Sequence, residues 1–283
     1  MRLDERIRER IRMKELFMIR VNKEDRKAMS PLFDGLEDSM VIAYLQGFMG
    51  DGFVDRMPNP RVGLIVSAEY CFFGGDNTIP EAKELAEQLF ELTTLNQMVA
   101  IYPDKQTGWF ELLMALETFR PTSLPRFGIV QRDYDFDKVK LKTIAESIPE
   151  GFKLVSFDEE LYGQAMSEPW AMAFCEAFAS PEEYLTKGFG FAITEQGKLI
   201  AGASTMTVYD SGTETQVATR EGYGGRGLAL ACSAAFIMEC DRRGMRPCWD
   251  AANEASLHMA QKLGYEYKGL YMTVELNRPN GQS

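Results

Sequence analysis

A glycine-rich segment between a predicted strand and a predicted helix carries the residue types most suited to binding a ligand. Residues 220–227 read REGYGGRG, with glycine at four positions and the cation Arg226 among them. Backbone N–H groups at the start of a helix point outward, and the helix dipole favours an anion there. Because glycine lets a ligand approach the backbone closely, this segment, the glycine loop, is predicted to bind a phosphate or pyrophosphate group.

A dinucleotide is one class of phosphate ligand that could bind the glycine loop. Gly222 to Gly227 has the GxGxxG spacing of dinucleotide-binding proteins, and Asp250 after the next strand has the chemistry to bind a ribose. However, an antiparallel hairpin precedes the loop, whereas a doubly wound domain usually begins with the strand that leads into this motif. The residues after the loop also suffice for only about one more βα unit and a strand, so we disfavour a dinucleotide site.

The predicted elements of the second half place the loop between β-structure and a long helix. The pattern predicts a hairpin turning at Gln196-Gly197, a third strand, the glycine loop, a helix, a strand, a second helix and a last strand. The predicted strands cover residues 188–195, 198–209, 214–219, 246–250 and 267–276, and the predicted helices cover 228–243 and 256–263. Gly244 and Gly264 are expected to end the two helices.

The first half mixes predicted helices and strands without a motif that we can tie to chemistry. A boundary is predicted near residues 148–153, where Pro149 and Gly151 interrupt a polar stretch, which gives domains 1–150 and 151–283. Residues 1–17 alternate charges and predict a solvated helix rather than a targeting sequence.

Composition excludes several classes of protein. The chain has 31 Lys+Arg against 42 Asp+Glu, a net charge of −11, which disfavours nucleic acid and membrane surfaces as partners. It lacks an apolar run long enough to span a membrane. The single histidine, His258, excludes a multi-histidine metal site, and the five cysteines lack CxxC spacing. Reduced thiols and a cytoplasmic location are therefore expected.

An acidic run in the first half imitates a calcium site. Asp133, Asp135 and Asp137 have the spacing with which a calcium loop begins. Such a loop continues with glycine and ends with glutamate, whereas this chain has Lys138 and Ile144 at those positions. We therefore interpret the run as the charged face of a strand and predict no metal.

Two motifs together resemble the GNAT superfamily of N-acetyltransferases. The loop Gln/Arg-x-x-Gly-x-Gly/Ala of that family aligns with residues 224–229, and Asn-x-x-Ala/Ser followed by Gly-Phe/Tyr aligns with Asn253, Ser256, Gly264 and Tyr265. The resemblance covers residues 188–276 and is weaker before residue 185. It is closest to a bacterial subgroup of the superfamily with a long N-terminal extension.

The resemblance implies acetyl-CoA as the cofactor, wedged between two parallel strands, 214–219 and 246–250, that separate from each other. Backbone groups of Val217 and Thr219 would pair with the pantetheine arm, and Asn253 would bind it, with Ser256 near the thioester. Alternatively, Asn253 and Ser256 only cap the following helix. The pyrophosphate would be bound by the backbone N–H groups of Gly224, Gly225, Arg226, Gly227, Leu228 and Ala229. Pro247 lacks an N–H, so we expect it to lie where the strands have separated.

The chain departs from the family pattern at two positions. Gly224 replaces the usual Gln or Arg, a loss for which Arg226 is placed to compensate. Ala260 replaces the tyrosine that often protonates the CoA thiolate. Ser256, Tyr265 and Tyr271 are the candidate acids in its place, and release without a dedicated acid is the alternative.

A base or a water relay must also take the proton of the attacking amine. Glu214, on the strand beside the cofactor, is the family-like candidate base. The equal alternative is that Glu214 is a solvent-facing strand residue. Asp250 is the second candidate. His258 is expected to face away from Ser256, and Cys248 is expected to be a structural thiol.

The resulting prediction is an α+β or α/β fold with a mixed sheet of GNAT type whose parallel strands separate. The N-terminal α/β domain could be a degenerate GNAT-like copy that does not bind CoA. The predicted function is acetyl-CoA-dependent acetylation of a primary amine of a small molecule or peptide by direct attack. A non-catalytic acyl-CoA-binding protein and a dinucleotide enzyme are the alternatives, and a homodimer is left open.

Overall fold

A computed structural model describes residues 18–130 and 135–279. The predicted helix over residues 1–17 and the acidic position Asp133 lie outside the described residues. By its contacts the chain divides into two compact units. The first unit comprises the chain up to Arg126 and from Tyr271 onward, and the second comprises Phe127–Leu270.

The described residues form strands and short helices in both units. The strands are β1 Ile19–Arg20, β2 Asp51–Val54, β3 Val62–Ser67, β4 Tyr70–Gly75, β5 Gln97–Ile101, β6 Thr122–Ile129, β7 Phe152–Ser156, β8 Gly190–Glu195, β9 Lys198–Tyr209, β10 Gly212–Thr219, β11 Arg246–Cys248 and β12 Tyr267–Asn277. The α-helices are α1 Ser39–Leu45, α2 Pro80–Glu87, α3 Gly108–Met114, α4 Lys138–Glu146, α5 Glu159–Ser167, α6 Pro181–Lys187, α7 Leu228–Arg243 and α8 Glu254–Leu263. Short 3₁₀ segments cover Lys23–Phe33, Leu89–Glu91, Glu117–Phe119 and Met172–Phe174.

The two units differ in two places from the predicted domains 1–150 and 151–283. Helix α4 belongs to the second unit because Leu141 and Ala145 are buried in one apolar cluster with Ala234 of α7. The end of the chain belongs to the first unit because Val274 and Leu276 of β12 are fully buried in that unit's core. The sequence pattern shows neither contact, since both join residues far apart in the chain.

The sheet of the second unit has the strand order β11-β10-β9-β8-β7 and is covered on both faces. Ile193 of β8 packs with Leu228 and Phe236 of α7 in one apolar cluster. Its neighbour Ala192 packs in another cluster with Phe174 of the Met172–Phe174 segment. Because adjacent strand residues point to opposite faces, α7 covers one face and the segment around α5 and α6 covers the other.

Local predictions around the glycine loop are confirmed. The hairpin turns at Gln196 and Gly197, with φ of 50° and 82°, and the long helix has the predicted limits, Leu228–Arg243. Gly244 ends it with a left-handed φ of 67°. The strand predicted over residues 246–250 is shorter and ends at Cys248.

The two units share one topological feature. In the first unit, antiparallel β2, β3 and β4 are followed by α2 and then by β5, which is parallel to β4. In the second unit, antiparallel β8, β9 and β10 are followed by α7 and then by β11, which is parallel to β10. This shared order supports the prediction that the first unit is a copy of the same fold.

Candidate functional site

The parallel strands β10 and β11 separate after three paired positions. Their last pair is Glu214 with Cys248, where β11 ends, whereas β10 continues to Thr219. On its other side β10 stays paired with β9 as far as Thr219. Among the described residues, no strand pairs with this edge of residues 215–219, as predicted. N–H and C=O groups along such an edge are available to a ligand.

Pro247 does not mark this separation. It pairs with Thr213 inside the closed part of the ladder, so the expectation that it lies where the strands have separated is wrong. Strand β11 is an edge strand of its sheet. A proline is tolerated on an edge because its missing N–H need not remove a ladder hydrogen bond.

The glycine loop forms an unobstructed cradle at the start of α7. Gly222, Gly225 and Gly227 have left-handed φ of 84°, 76° and 77°, a conformation that disfavours side chains. An added Cβ at any of the four loop glycines would find no atom within 4 Å. Gly227 begins the helix without a side-chain cap. The N–H groups of the first turn are therefore directed at the cradle, an arrangement that suits a pyrophosphate.

Side chains missed by the sequence reasoning hold the loop in place. The Tyr223 hydroxyl donates to Glu195 Oε2 at 2.7 Å, and its ring packs edge-on against Phe152. The Arg226 guanidinium lies 5.1 Å from the centre of the Tyr223 ring. Arg226 is exposed, so its charge stays available while the stacking limits its range of positions.

The described residues of the first unit show the same strand separation but no open cradle. Strand β4 continues to Gly75 after its pairing with β5 ends at Phe72. The Gly75 N–H donates to Gln106 Oε1 at 2.9 Å, and Gln106 Nε2 donates to the Leu32 carbonyl at 3.1 Å. A Cβ at Gly74 would lie 2.5 Å from that carbonyl. The chain's own residues thus occupy this separation, which supports the expectation that the first unit does not bind CoA.

Asn253 and Ser256 make the capping contacts that were the alternative to cofactor binding. Asn253 Oδ1 accepts the Ser256 N–H at 2.9 Å and caps α8. Ser256 Oγ accepts from Trp249 Nε1 at 3.1 Å. Neither contact uses the Asn253 amide donors, because the cap employs only the oxygen atom. Both residues therefore remain candidates for cofactor contact.

Glu214 lies at the point where the two parallel strands separate. It is the last residue of β10 paired with β11, and only 8% of it is exposed. The alternative that Glu214 is a solvent-facing strand residue is therefore wrong. Asp250 lies two residues beyond the end of β11 and is half-buried.

The structure separates the candidate acids by their surroundings. The Tyr265 hydroxyl is buried and donates to the Pro247 carbonyl at 2.8 Å, a contact that favours a structural role. Tyr271 belongs to the first unit, whereas Ser256 belongs to α8 of the second. His258 is exposed on α8.

All five cysteines are buried free thiols, as expected for a reduced protein. Burial raises the pKa of the Cys71 and Cys232 thiols far above the usual range and that of Cys175 to about 12. Cys248 lies 3.1 Å from the Tyr209 hydroxyl. The thiolate is the reactive form of cysteine, so Cys71, Cys175 and Cys232 are unsuited to nucleophilic catalysis.

We expect the native protein to react negligibly with a thiol-reactive disulfide reagent at pH 8. Burial disfavours the thiolate of these groups, and the reagent cannot reach them without unfolding. The measurement is absorbance of the released reagent anion before and after addition of denaturant. Fast labelling of the native chain would contradict the buried positions.

The described residues contain neither a candidate metal cluster nor a candidate membrane-spanning helix. Within residues 18–130 and 135–279, no cluster of three or more His, Cys, Asp or Glu side chains is arranged to hold a metal ion. Over the same residues, no helix combines the length and apolar character needed to cross a membrane.

Comparison with known proteins assigns the family. Residues 30–274 match the model of the GNAT acetyltransferase family. The structure resembles a GCN5-related N-acetyltransferase-like protein from Streptococcus suis 89/1591, with a TM-score of 0.81 and 28% identity over 90% of this chain and 99% of that one.

Two curated relatives are similar over part of the chain. The uncharacterized N-acetyltransferase YdfB of Bacillus subtilis (strain 168) is 30% identical over 42% of this chain and 46% of its own length. The ribosomal protein bS18-alanine N-acetyltransferase of Escherichia coli (strain K12) is 32% identical over 36% of this chain and 68% of its own. The chain thus spans less than half of the first relative's length. The family match over most of the chain shows that this chain belongs to the GNAT acetyltransferase family.

Proposed function

We propose that the protein transfers the acetyl group of acetyl-CoA to a primary amine of a small molecule or peptide. One observation carries this proposal: the open edge of β10 leads directly into the unobstructed glycine loop at the start of α7. An extended arm that contains amides can pair with an open strand edge, and a pyrophosphate fits a helix N-terminus. Acetyl-CoA carries both groups in this order.

Each group of the site has a proposed part in binding. Backbone groups of Val217 and Thr219 pair with the pantetheine arm along the open edge. The Asn253 amide donors bind the same arm from the start of α8. Arg226 adds positive charge beside the pyrophosphate, which matters in a chain of net charge −11. The pyrophosphate is bound by the N–H groups of Gly224, Gly225, Arg226, Gly227, Leu228 and Ala229.

Acetyl-CoA, when bound, would supply a thioester whose electrophilic carbonyl carbon an amine can attack. The attacking amine must be neutral and loses one proton as the C–N bond forms and the C–S bond breaks. Glu214 is the proposed acceptor of that proton, because it lies buried where the strands separate. Asp250, beyond the end of β11, is the second candidate.

Release of the thiolate needs little help near neutral pH. An ordinary thiol has a pKa of about 8.5, so the thiolate is a moderate leaving group. Ser256 Oγ accepts from Trp249, which leaves its own hydroxyl hydrogen available as a donor. Tyr265 donates its hydroxyl hydrogen to Pro247. Ser256 is therefore the preferred hydrogen-bond donor to the thioester sulfur. It would replace the tyrosine for which this chain has Ala260.

Release of free CoA thiol from acetyl-CoA tests this function. The purified chain is mixed with acetyl-CoA and a panel of amines that covers diamines, amino sugars, amino acids and a peptide with an N-terminal alanine. The last is included because the Escherichia coli relative is named for alanine acetylation. Amine-dependent thiol release supports the proposal, and a mass increase of one acetyl group identifies the acceptor.

The non-catalytic alternative gives a different result in the same experiment. A protein that only binds acyl-CoA would show calorimetric binding of acetyl-CoA but no thiol release with any amine. The lack of tyrosine at Ala260 is the observation that favours this alternative.

Asn253→Asp is expected to weaken acetyl-CoA binding while it preserves stability. Aspartate keeps the oxygen that caps α8 but lacks the amide donors proposed to bind pantetheine. Asn253→Ala, the comparison variant, should lose the cap and about 1 kcal/mol of stability. Calorimetry and thermal unfolding measure the two effects, and unchanged affinity in both variants would assign Asn253 to capping alone.

A further inference from the structure

Arg220, the first residue of the glycine loop, makes contacts that neither the family motif nor the sequence pattern assigns. Its backbone N–H donates to the Ile200 carbonyl at 2.8 Å, which continues the ladder between β10 and β9 by one residue. The backbone of Arg220 is therefore the last part of β10 held by the sheet before the loop begins.

The Arg220 side chain turns away from the loop and binds the segment that follows α5. Its Nη2 donates to Glu168 Oε1 at 2.7 Å, and its Nε donates to the Leu199 carbonyl at 3.2 Å. The guanidinium also lies 5.4 Å from the centre of the Trp170 ring. One side chain thus joins three groups: a carboxylate, a strand carbonyl and an aromatic ring.

Gln164 of α5 makes hydrogen bonds to the same part of the sheet. Gln164 Oε1 accepts the Leu199 N–H at 2.9 Å, and Gln164 Nε2 donates to the Gly197 carbonyl at 3.0 Å. Leu199 is thereby bound through its N–H by α5 and through its carbonyl by Arg220. The end of α5 and the start of the glycine loop are attached to one residue of β9.

We propose that Arg220 is a positioning residue that couples the glycine loop to residues 168–174. A planar guanidinium with several fixed donors suits this task, because it binds two acceptors and stacks on a ring at the same time. Residues 168–174 lie on the sheet face opposite α7, where Trp170 packs in one apolar cluster with Ala218 of the open edge. Residues 168–174 therefore border the edge of β10 that leads into the cradle.

The coupling has a consequence for the acetyl transfer, and this part rests on the proposed function. An ordered loop holds its N–H groups ready for the pyrophosphate, so less conformational entropy is lost on binding. The amine must reach the thioester beside the open edge of β10, and residues 168–174 border that edge. Loss of Arg220 should therefore weaken cofactor binding and slow transfer, although Arg220 touches no reacting atom.

Hydrogen–deuterium exchange of the ligand-free full-length chain tests the coupling itself. In Arg220→Ala we expect exchange to rise at least tenfold both in residues 221–227 and in residues 168–174. Arg220→Lys, which can satisfy only part of the three contacts, should give a smaller rise in both segments. Arg242→Ala is the matched control, because Arg242 forms an exposed ion pair with Glu239 on α7. A rise confined to one segment, or absent from both, overturns the proposal.

Calorimetry and fluorescence with acetyl-CoA test the consequence. Arg220→Ala is expected to bind acetyl-CoA about tenfold more weakly than the wild-type chain. Acetyl-CoA should alter tryptophan fluorescence of the wild-type chain, and Trp170→Phe should bind with similar affinity but show a smaller change, because Trp249, which donates to Ser256, still reports on the site. Equal affinity of Arg220→Ala and the wild-type chain would refute the predicted effect of Arg220 on cofactor binding, whereas exchange decides the coupling itself. Absence of acetyl-CoA binding by the wild-type chain would refute the proposed function instead, and exchange would still decide the role of Arg220.

Discussion

Glu214→Gln is expected to lower kcat for amine acetylation about 100-fold or more. Loss of a positioned general base typically costs between about 100- and 10,000-fold in rate. Glutamine has nearly the same shape but cannot accept the proton of the amine. Glu214 is buried at the last pair between β10 and β11. Because glutamine fills the same space, we expect the fold and the affinity for acetyl-CoA to change little. Steady-state kinetics with the acceptor identified by the amine panel measures the effect.

Two variants make this result specific to Glu214. Glu221→Gln removes a carboxylate from an exposed residue of the glycine loop, and it should leave kcat within about twofold. Asp250→Asn tests the second candidate base. A large loss in Asp250→Asn with full activity in Glu214→Gln would assign proton acceptance to Asp250 and refute the proposed role of Glu214.

Gly227→Ala is expected to weaken acetyl-CoA binding by about 2 kcal/mol, or roughly 30-fold, because a hydrogen bond to a charged group contributes about 1.5–3 kcal/mol. Gly227 begins α7 with a φ of 77° and no side-chain cap. A side chain there disfavours the left-handed backbone conformation in which the loop presents its N–H groups.

Gly244→Ala provides the matched control at the other end of the same helix. Gly244 has a φ of 67°, and a Cβ there would also find no atom within 4 Å. Both variants should lose about 1 kcal/mol of stability from left-handed strain, but only Gly227→Ala should lose affinity. Equal affinity in the two variants would show that the pyrophosphate binds elsewhere.

Local signals predicted the parts of the fold that depend on neighbouring residues. The limits of α7 follow from small and apolar residues between Gly227 and Gly244, and the observed helix runs over Leu228–Arg243. The hairpin turn follows from Gly197, which tolerates the positive φ of 82° that it adopts there. The separation of β10 from β11 was implied by the family resemblance, and the register of the two strands shows it.

Contacts between distant parts of the chain could not be predicted in this way. The hydrogen bond from Arg220 to Glu168 joins residues 52 positions apart, and that from Gln106 to Leu32 joins residues 74 apart. Nothing in the spacing of these residues indicates either contact. The return of β12 to the first unit likewise depends on burial of Val274 and Leu276, which periodicity alone cannot assign to one core or the other.

Calorimetric titration of the full-length chain with acetyl-CoA tests the central claim most directly. The open cradle at the glycine loop, and the separation filled by Gln106 in the first unit, together predict one binding site per chain. They also predict that the site is weakened by Gly227→Ala and that NADH does not compete for it. Absence of binding, two equivalent sites per chain, or thermal stabilisation by NADH but not by acetyl-CoA would contradict the account.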